Sequence, residues 1–228
     1  MMQLQSLSMC GRFFFLSAGP AVADLFQLAG VPELAPRFNI APTQPVLAVG
    51  LDKAGQRNVA TFRWGLVPRW AADVKLAPIN ARVETAADKP MFAEALRQRR
   101  CLIPADGYYE WQRQGKAKQP FCFRPHDDRP FAFAGIWEAW CPESGPPLLT
   151  CAILTTAAND LVRPVHDRMP LILDPRHYDL WIDRNVQEPA VLTDALRPVP
   201  ADALHAYSVS PWVNDARHDD ARCLEPTA

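Results

Sequence analysis

The chain has 228 residues, 49% of them apolar and 21% charged, with a formal net charge of −1. These values suit one soluble globular domain with a sizeable core and leave no global basic field, so any nucleic-acid contact must come from a local Arg/Lys patch. The six cysteines, Cys10, Cys101, Cys122, Cys141, Cys151 and Cys223, contain no C-x-x-C pair, and no apolar run is long enough to span a membrane, so neither a zinc site nor a membrane partner is expected.

Residues 1–9 read as a leader or a misassigned start, 10–222 as a single domain and 223–228 as a tail. The run Phe13-Phe14-Phe15-Leu16 followed by Ala21-Val22-Ala23 imitates a secretion signal but lacks a basic segment before it. A reducing cytoplasm is the simplest compartment. Val22, Leu25, Phe26 and Ala29 predict a helix over 17–30, stopped by Gly30. The Pro-punctuated stretch 32–45 reads as irregular. Strands are predicted over 46–49 and 59–64, with Phe62 and Trp64 on one face. A helix over 88–98, with Pro90 in its first turn, comes after the loop that begins at Trp70. Strands over 101–103, 107–112, 120–124, 130–140 and 148–156 come next. Asp174 reads as the cap of a short helix with Pro175 at its first position; 190–196 reads as helical, 205–209 as a last strand, and the chain beyond Asn214 as disposable. With 23 Pro and 10 Gly among many short strands, this predicts an α+β fold of mostly antiparallel strands with a few peripheral helices.

Met9-Cys10-Gly11-Arg12 is the stretch that organises the functional reading. If Cys10 becomes the first residue, it carries an α-amine beside a thiol, and that pair closes on an aldehyde as a five-membered thiazolidine. The amine has a reference pKa of about 7.7–8.0, and the thiolate is partly available at about 8.5. Taken alone, an early Cys is more often a small buried hydrophobe. Partners decide. Alternation puts Tyr109 and Trp111 on one strand face and Glu110 on the other; a Glu aimed into a cleft has a raised pKa and shuttles protons, although a lone Glu is more often solvated. His166, in the Pro-bracketed loop Arg163–Pro170, is the best proton-transfer candidate of five histidines. Asn80 offers an amide to orient a substrate oxygen, against the commoner role of capping a turn. Arg12, Arg82 and Arg168 lie within a few residues of these groups and suit phosphates, against the alternative of surface ion pairs. Trp64 and Trp70 flank a loop where an aromatic stacks on an unpaired base, though one of them also suits the core.

Arg37-Phe38-Asn39-Ile40-Ala41-Pro42, Trp64-Gly65, Ile79-Asn80-Ala81-Arg82-Val83-Glu84-Thr85, Ala105-Asp106-Gly107-Tyr108-Tyr109-Glu110-Trp111, Thr155-Thr156-Ala157-Ala158 and His166-Asp167-Arg168-Met169-Pro170 come after the Cys10 motif in order. Together they resemble the SRAP family of abasic site processing proteins, from Cys10 to about Asn214. The resemblance implies a single domain with a distorted barrel of strands and no metal or organic cofactor. It implies a monomer that binds single-stranded DNA and single-strand/duplex junctions containing abasic sites, working in the cytoplasm at the nucleoid. By the family pattern Cys10 is the nucleophile, Asn80 orients the substrate, Glu110 assists proton transfer and His166 acts at the sugar oxygen during ring opening. Arg12, Arg82 and Arg168 look like phosphate contacts, with Asn39 beside them at the DNA, and Trp64 like a base-stacking residue. The family's descriptions add a peptidase activity that exposes the Cys and an abasic-site lyase activity. The departure is at the front, where eight residues precede Met9. The alternative function is an N-terminal-nucleophile or cysteine-type hydrolase acting on an amide or peptide.

Overall fold

The computed structural model describes residues 10–227. Thirteen strands are present among them: Arg12–Phe15 (β1), Arg37–Ile40 (β2), Pro45–Leu51 (β3), Arg57–Trp64 (β4), Asn80–Arg82 (β5), Arg100–Ala105 (β6), Gly107–Gln114 (β7), Ala117–Pro125 (β8), Phe131–Trp140 (β9), Leu148–Ala157 (β10), Arg168–Pro170 (β11), Ile172–Leu173 (β12) and Leu204–Ser208 (β13). One sheet has the order β13-β8-β7-β1-β2. In the other, β10, β4, β3, β6 and β9 form a closed ring, because β9 also pairs with β10. Closure satisfies the backbone groups that an open edge would leave exposed. All pairings are antiparallel except those of β10 with β4 and β5. The α+β architecture expected from the sequence, with its barrel of mostly antiparallel strands, is therefore the observed one.

Strand β1 contributes to two apolar clusters. Phe13 of β1 meets Trp64 and Phe133 edge-on at centroid distances of 5.3 and 5.6 Å. The next residue, Phe14, points the other way into a second cluster with Tyr109, Cys122, Val213 and Cys223. β1 is thus apolar on both faces, which is why no alternation betrays it. Gly107 allows β1 its close approach to β7, since a Cβ there would overlap the Phe14 ring and the Phe123 carbonyl.

The helices are few and short. Gly19–Phe26 (α1) stops before the predicted Gly30, because Gln27 turns left-handed at φ 51 and returns its N–H to Ala23 and Asp24. A separate short helix, Val83–Ala86 (α2), lies in what reads as a loop; of the helix expected over 88–98, Ala93–Gln98 (α3) is present while the residues around Pro90 form a turn. Asp174 caps a 3-10 turn over Pro175–His177 as its sequence suggests, and Tyr178–Ile182 (α4) comes directly after it. The segment over 190–196 holds a 3-10 turn, Pro189–Leu192, rather than a helix. Among the described residues no helix is long and apolar enough to cross a membrane.

The chain after Asn214 is not disposable. Asp219 accepts hydrogen bonds from the Phe38 and Asn39 N–H groups and pairs with Arg37. Cys223 is buried, and Pro226 bridges to Val209. This segment lies against β2, and Asn214 just before it lines the cleft that opens over β1 and β7.

Candidate functional site

The pairing of β1 with β7 sets the centre of the site. Arg12 lies opposite Tyr109 and Phe13 opposite Tyr108. Carried one residue back, that register sets Gly11 level with Glu110, which leaves the Cys10 nitrogen within reach of the Glu110 side chain. The far end of β1 is pinned by buried Asp106, which accepts from Leu16 N–H and Ser17 N–H at 2.5 and 2.9 Å. Cys10 N donates to Glu110 Oε1 at 2.6 Å. Both residues are 1% exposed. Burial pushes the Glu110 carboxyl up to about 8, against the pull of the Cys10 and Trp111 N–H groups. Burial, helped by Glu110, also raises the Cys10 thiol. Cys10 holds a left-handed backbone, φ 34, which a residue with a Cβ adopts only under strain.

Strand β10 gathers the other groups. Its Thr155 lies level with Arg82 of β5 on one side and Pro170 of β11 on the other. Asn80, at the start of β5, donates from Nδ2 to Cys10 O at 3.4 Å. His166, just before β11, accepts the Arg168 N–H on Nδ1 at 3.1 Å. That bond places the proton of the neutral ring on Nε2. Asp167 Oδ1 lies 3.1 Å from the same Nδ1, ready to hold the ring once it is protonated. His166, Glu110 and Arg12 line one open cleft of about 990 Å³.

The expected phosphate and base contacts divide. Arg82 is exposed at the end of β5. Arg12 Nη1 donates to Asn39 Oδ1 at 3.1 Å and to Val213 O at 2.7 Å, leaving its guanidinium on the cleft wall. Arg168 is committed to Glu84 at 2.6 and 2.8 Å and to Thr155 O at 2.7 Å, so in this state it orders the His166 loop against α2. Asn39 is fully buried; its Nδ2 lies within 3.1 Å of three carbonyls, Val213, Asp215 and His218, and it presents nothing to a ligand. Trp64 is fully buried as well, with Nε1 donating to Ile79 O at 2.9 Å, because its face of β4 points into the barrel. It offers no ring face to a base, whereas Trp70 is 64% exposed.

Asn39 therefore acts on the site through Arg12 and the C-terminal segment. Asn39→Ala would strand buried carbonyls and is expected to cost about 2–3 kcal/mol. Thermal melting should show a drop of roughly 5–10 °C for a domain of this size. An unchanged Tm would mean that the 213–218 segment holds itself in place.

Sequence reasoning missed Gln112, Arg113, Lys118 and Arg163, which line the outer cleft. It ended the strand at 112 and so did not see that the basic residues on either side of Gly115 belong to one hairpin. Among the described residues no group of three or more His, Cys, Asp or Glu side chains is placed to hold a metal ion.

Comparison with known proteins gives a single family. Residues 9–216 match SOS response associated peptidase (SRAP). The chain is 41% identical to the abasic site processing protein YoaM of Bacillus subtilis (strain 168), over 95% of this chain and 98% of that one. It is 32% identical to the abasic site processing protein YedK of Escherichia coli (strain K12), over 86% of each chain. A solved phage-related protein from Bordetella bronchiseptica superposes with a TM-score of 0.72 at 30% identity, covering 88% of this chain and 94% of that one. With a family match over nearly the whole described chain, and relatives at 32% and 41% identity covered over 86% or more of their length, the protein belongs to the SRAP family.

Proposed function

We propose that the protein processes abasic sites by binding single-stranded DNA and forming a thiazolidine cross-link through Cys10 as the first residue. The observation that carries this reading is the 2.6 Å contact of the Cys10 nitrogen with a buried carboxyl whose pKa is raised to about 8. A carboxyl poised near neutral pH both accepts and returns a proton. Once the nitrogen is an α-amine, Glu110 takes the ammonium proton and leaves a neutral amine facing the aldehyde.

The order of steps rests on the two pKa shifts. The thiol is buried and held protonated, so the amine attacks first. The amine adds to the aldehyde carbon, Glu110 returns its proton to the departing hydroxyl, and one water leaves as the imine forms. The Cys10 S–H then adds across the C=N bond, the sulfur to carbon and the proton to nitrogen. Asn80, bonded to Cys10 O, fixes the residue against the substrate oxygen. As the closed abasic sugar opens, the ring C–O bond breaks, the ring oxygen takes the Nε2 proton of His166, and the anomeric hydroxyl becomes the aldehyde by giving up its own proton, which restores His166 through solvent.

Two routes lead to a free amine. Translation from Met9 with subsequent methionine removal suits the small Cys side chain, and the family match beginning at residue 9 supports it. Self-cleavage is the other: Cys10 Sγ attacks the Met9 carbonyl as its proton passes to Glu110, the C–N bond breaks as Glu110 gives that proton to the leaving nitrogen, and water hydrolyses the thioester. Cleavage would also release the left-handed strain at Cys10, which favours it. Incubation of the Cys10-initiated protein with an abasic single-stranded oligonucleotide should give a band that survives denaturation. Its absence, with binding intact, would leave a DNA-binding module without this chemistry.

A further inference from the structure

The β7–β8 hairpin carries cations where the fold gives them no structural use. Between Gln112 and Gln119 it holds Arg113, Lys116 and Lys118 and no acidic residue, in a chain with 25 acidic and 24 basic residues overall. Arg113 and Lys118 are direct cross-strand partners. Like charges placed opposite each other weaken a hairpin. Both side chains are exposed, and both line the cleft that holds Glu110 and His166. The tight turn is made by Gly115 at φ +62, so the hairpin keeps its form without help from these charges.

The opposite wall is the loop before His166. Arg163 is exposed there, held by Asp160 at 2.9 Å and by Ala158 O at 3.1 Å. Gln112 Nε2 donates to Pro164 O at 3.1 Å and ties the two walls together. The outer cleft therefore sets Arg113, Lys118 and Arg163 beside Asp167, with Asp160 paired to Arg163 and Glu110 buried at the floor. Arg113 lies three residues along β7 from Glu110, about 10 Å at strand spacing. That is beyond the reacting sugar and within reach of phosphates belonging to its neighbours.

We propose that Arg113, Lys118 and Arg163 form a phosphate-holding rim that binds the DNA strand on one side of the abasic sugar, adding a subsite that Arg12, Arg82 and Arg168 do not supply. This rests on the reading of the cleft as a DNA site. The rim contributes affinity and register, not chemistry, because none of its members reaches the Cys10 nitrogen.

The test uses the Cys10-initiated protein and single-stranded oligonucleotides lengthened on one side or the other of the abasic site. Wild type should gain affinity from added nucleotides mainly on one side. The R113A/K118A variant should lose that gain, and its log–log salt slope should be shallower by about 1.4, at roughly 0.7 per phosphate contact on a single strand. Its cross-linking rate at saturating DNA should equal that of wild type, and its Tm should be equal or higher, since two like charges have been removed from opposite positions. R113E, which sets an acid against Lys118, should raise Tm further and weaken binding more. If wild type cross-links and the double variant keeps the same affinity, side preference and salt slope, the rim is overturned while the cross-linking function stands. If wild type neither binds nor cross-links abasic DNA, the reading beneath the proposal fails, and the rim with it.

Discussion

Glu110→Gln is expected to slow cross-link formation by about 10²-fold, the lower range for loss of a general acid–base, and at the same time to stabilise the fold above neutral pH. The stability effect applies to the form in which the Cys10 nitrogen is still an amide. The folded carboxyl titrates at about 8 and the unfolded one at 4.5. Between these values the native state holds a proton that the unfolded chain has lost, so stability falls as pH rises. The contribution is full below about pH 4.5 and gone above about pH 8, a swing on the order of 5 kcal/mol at about 1.36 kcal/mol per unit. Gln cannot ionise, so the variant should lack this slope and melt higher than wild type at pH 9. Melting curves of both proteins at pH 5, 7 and 9 check it. Parallel profiles would mean that Glu110 is not a buried acid with a raised pKa, even if the variant is slow.

The second large effect is at Cys10. Cys10→Ala, made as the first residue, should give no thiazolidine at all, because an amine without a thiol stops at the imine. Cys10→Ser keeps the amine and removes the sulfur; its adduct should survive denaturation only after borohydride reduction. An imine also loosens the proton beside it and exposes the strand to elimination. Both variants are therefore expected to nick abasic DNA more than wild type, which closes the ring. Denaturing gels with and without reductant separate these outcomes. A Cys10→Ala protein that forms a stable adduct without reduction would place the bond on another residue.

Much of this site was legible because its chemistry sits in contiguous motifs. Cys10, Asn80, Glu110 and His166 were each marked by residue type and local pattern; the Cys10 backbone meets both Glu110 and Asn80, and Glu110 shares a cleft with His166. Hidden from the sequence was the direction of side chains set by distant pairing. Asn39 and Trp64 lie in motifs that suggest contact with DNA, yet one is consumed by carbonyls of the 213–218 segment and the other by the barrel interior. Arg168 finds Glu84 only because β5 and β11 flank the same strand. Strands β1, β2, β5, β11 and β12 have two to four residues each, too few for a period to show. Conversely β4, β9 and β10 have eight to ten residues, and their expected spans fall within two residues of those observed.

The central claim is that the reacting nitrogen is an amine, and one measurement addresses it most directly. Full-length protein shown by intact mass to retain Met1 is compared with protein beginning at Cys10, each mixed with the same abasic oligonucleotide, and adducts are tracked over time by intact mass. The Cys10-initiated form should yield a species equal to protein plus DNA less one water. The form retaining Met1 should yield none until its first nine residues are lost. Equal rates of adduct formation by the two forms, with Met1 still present in the product, would contradict the mechanism.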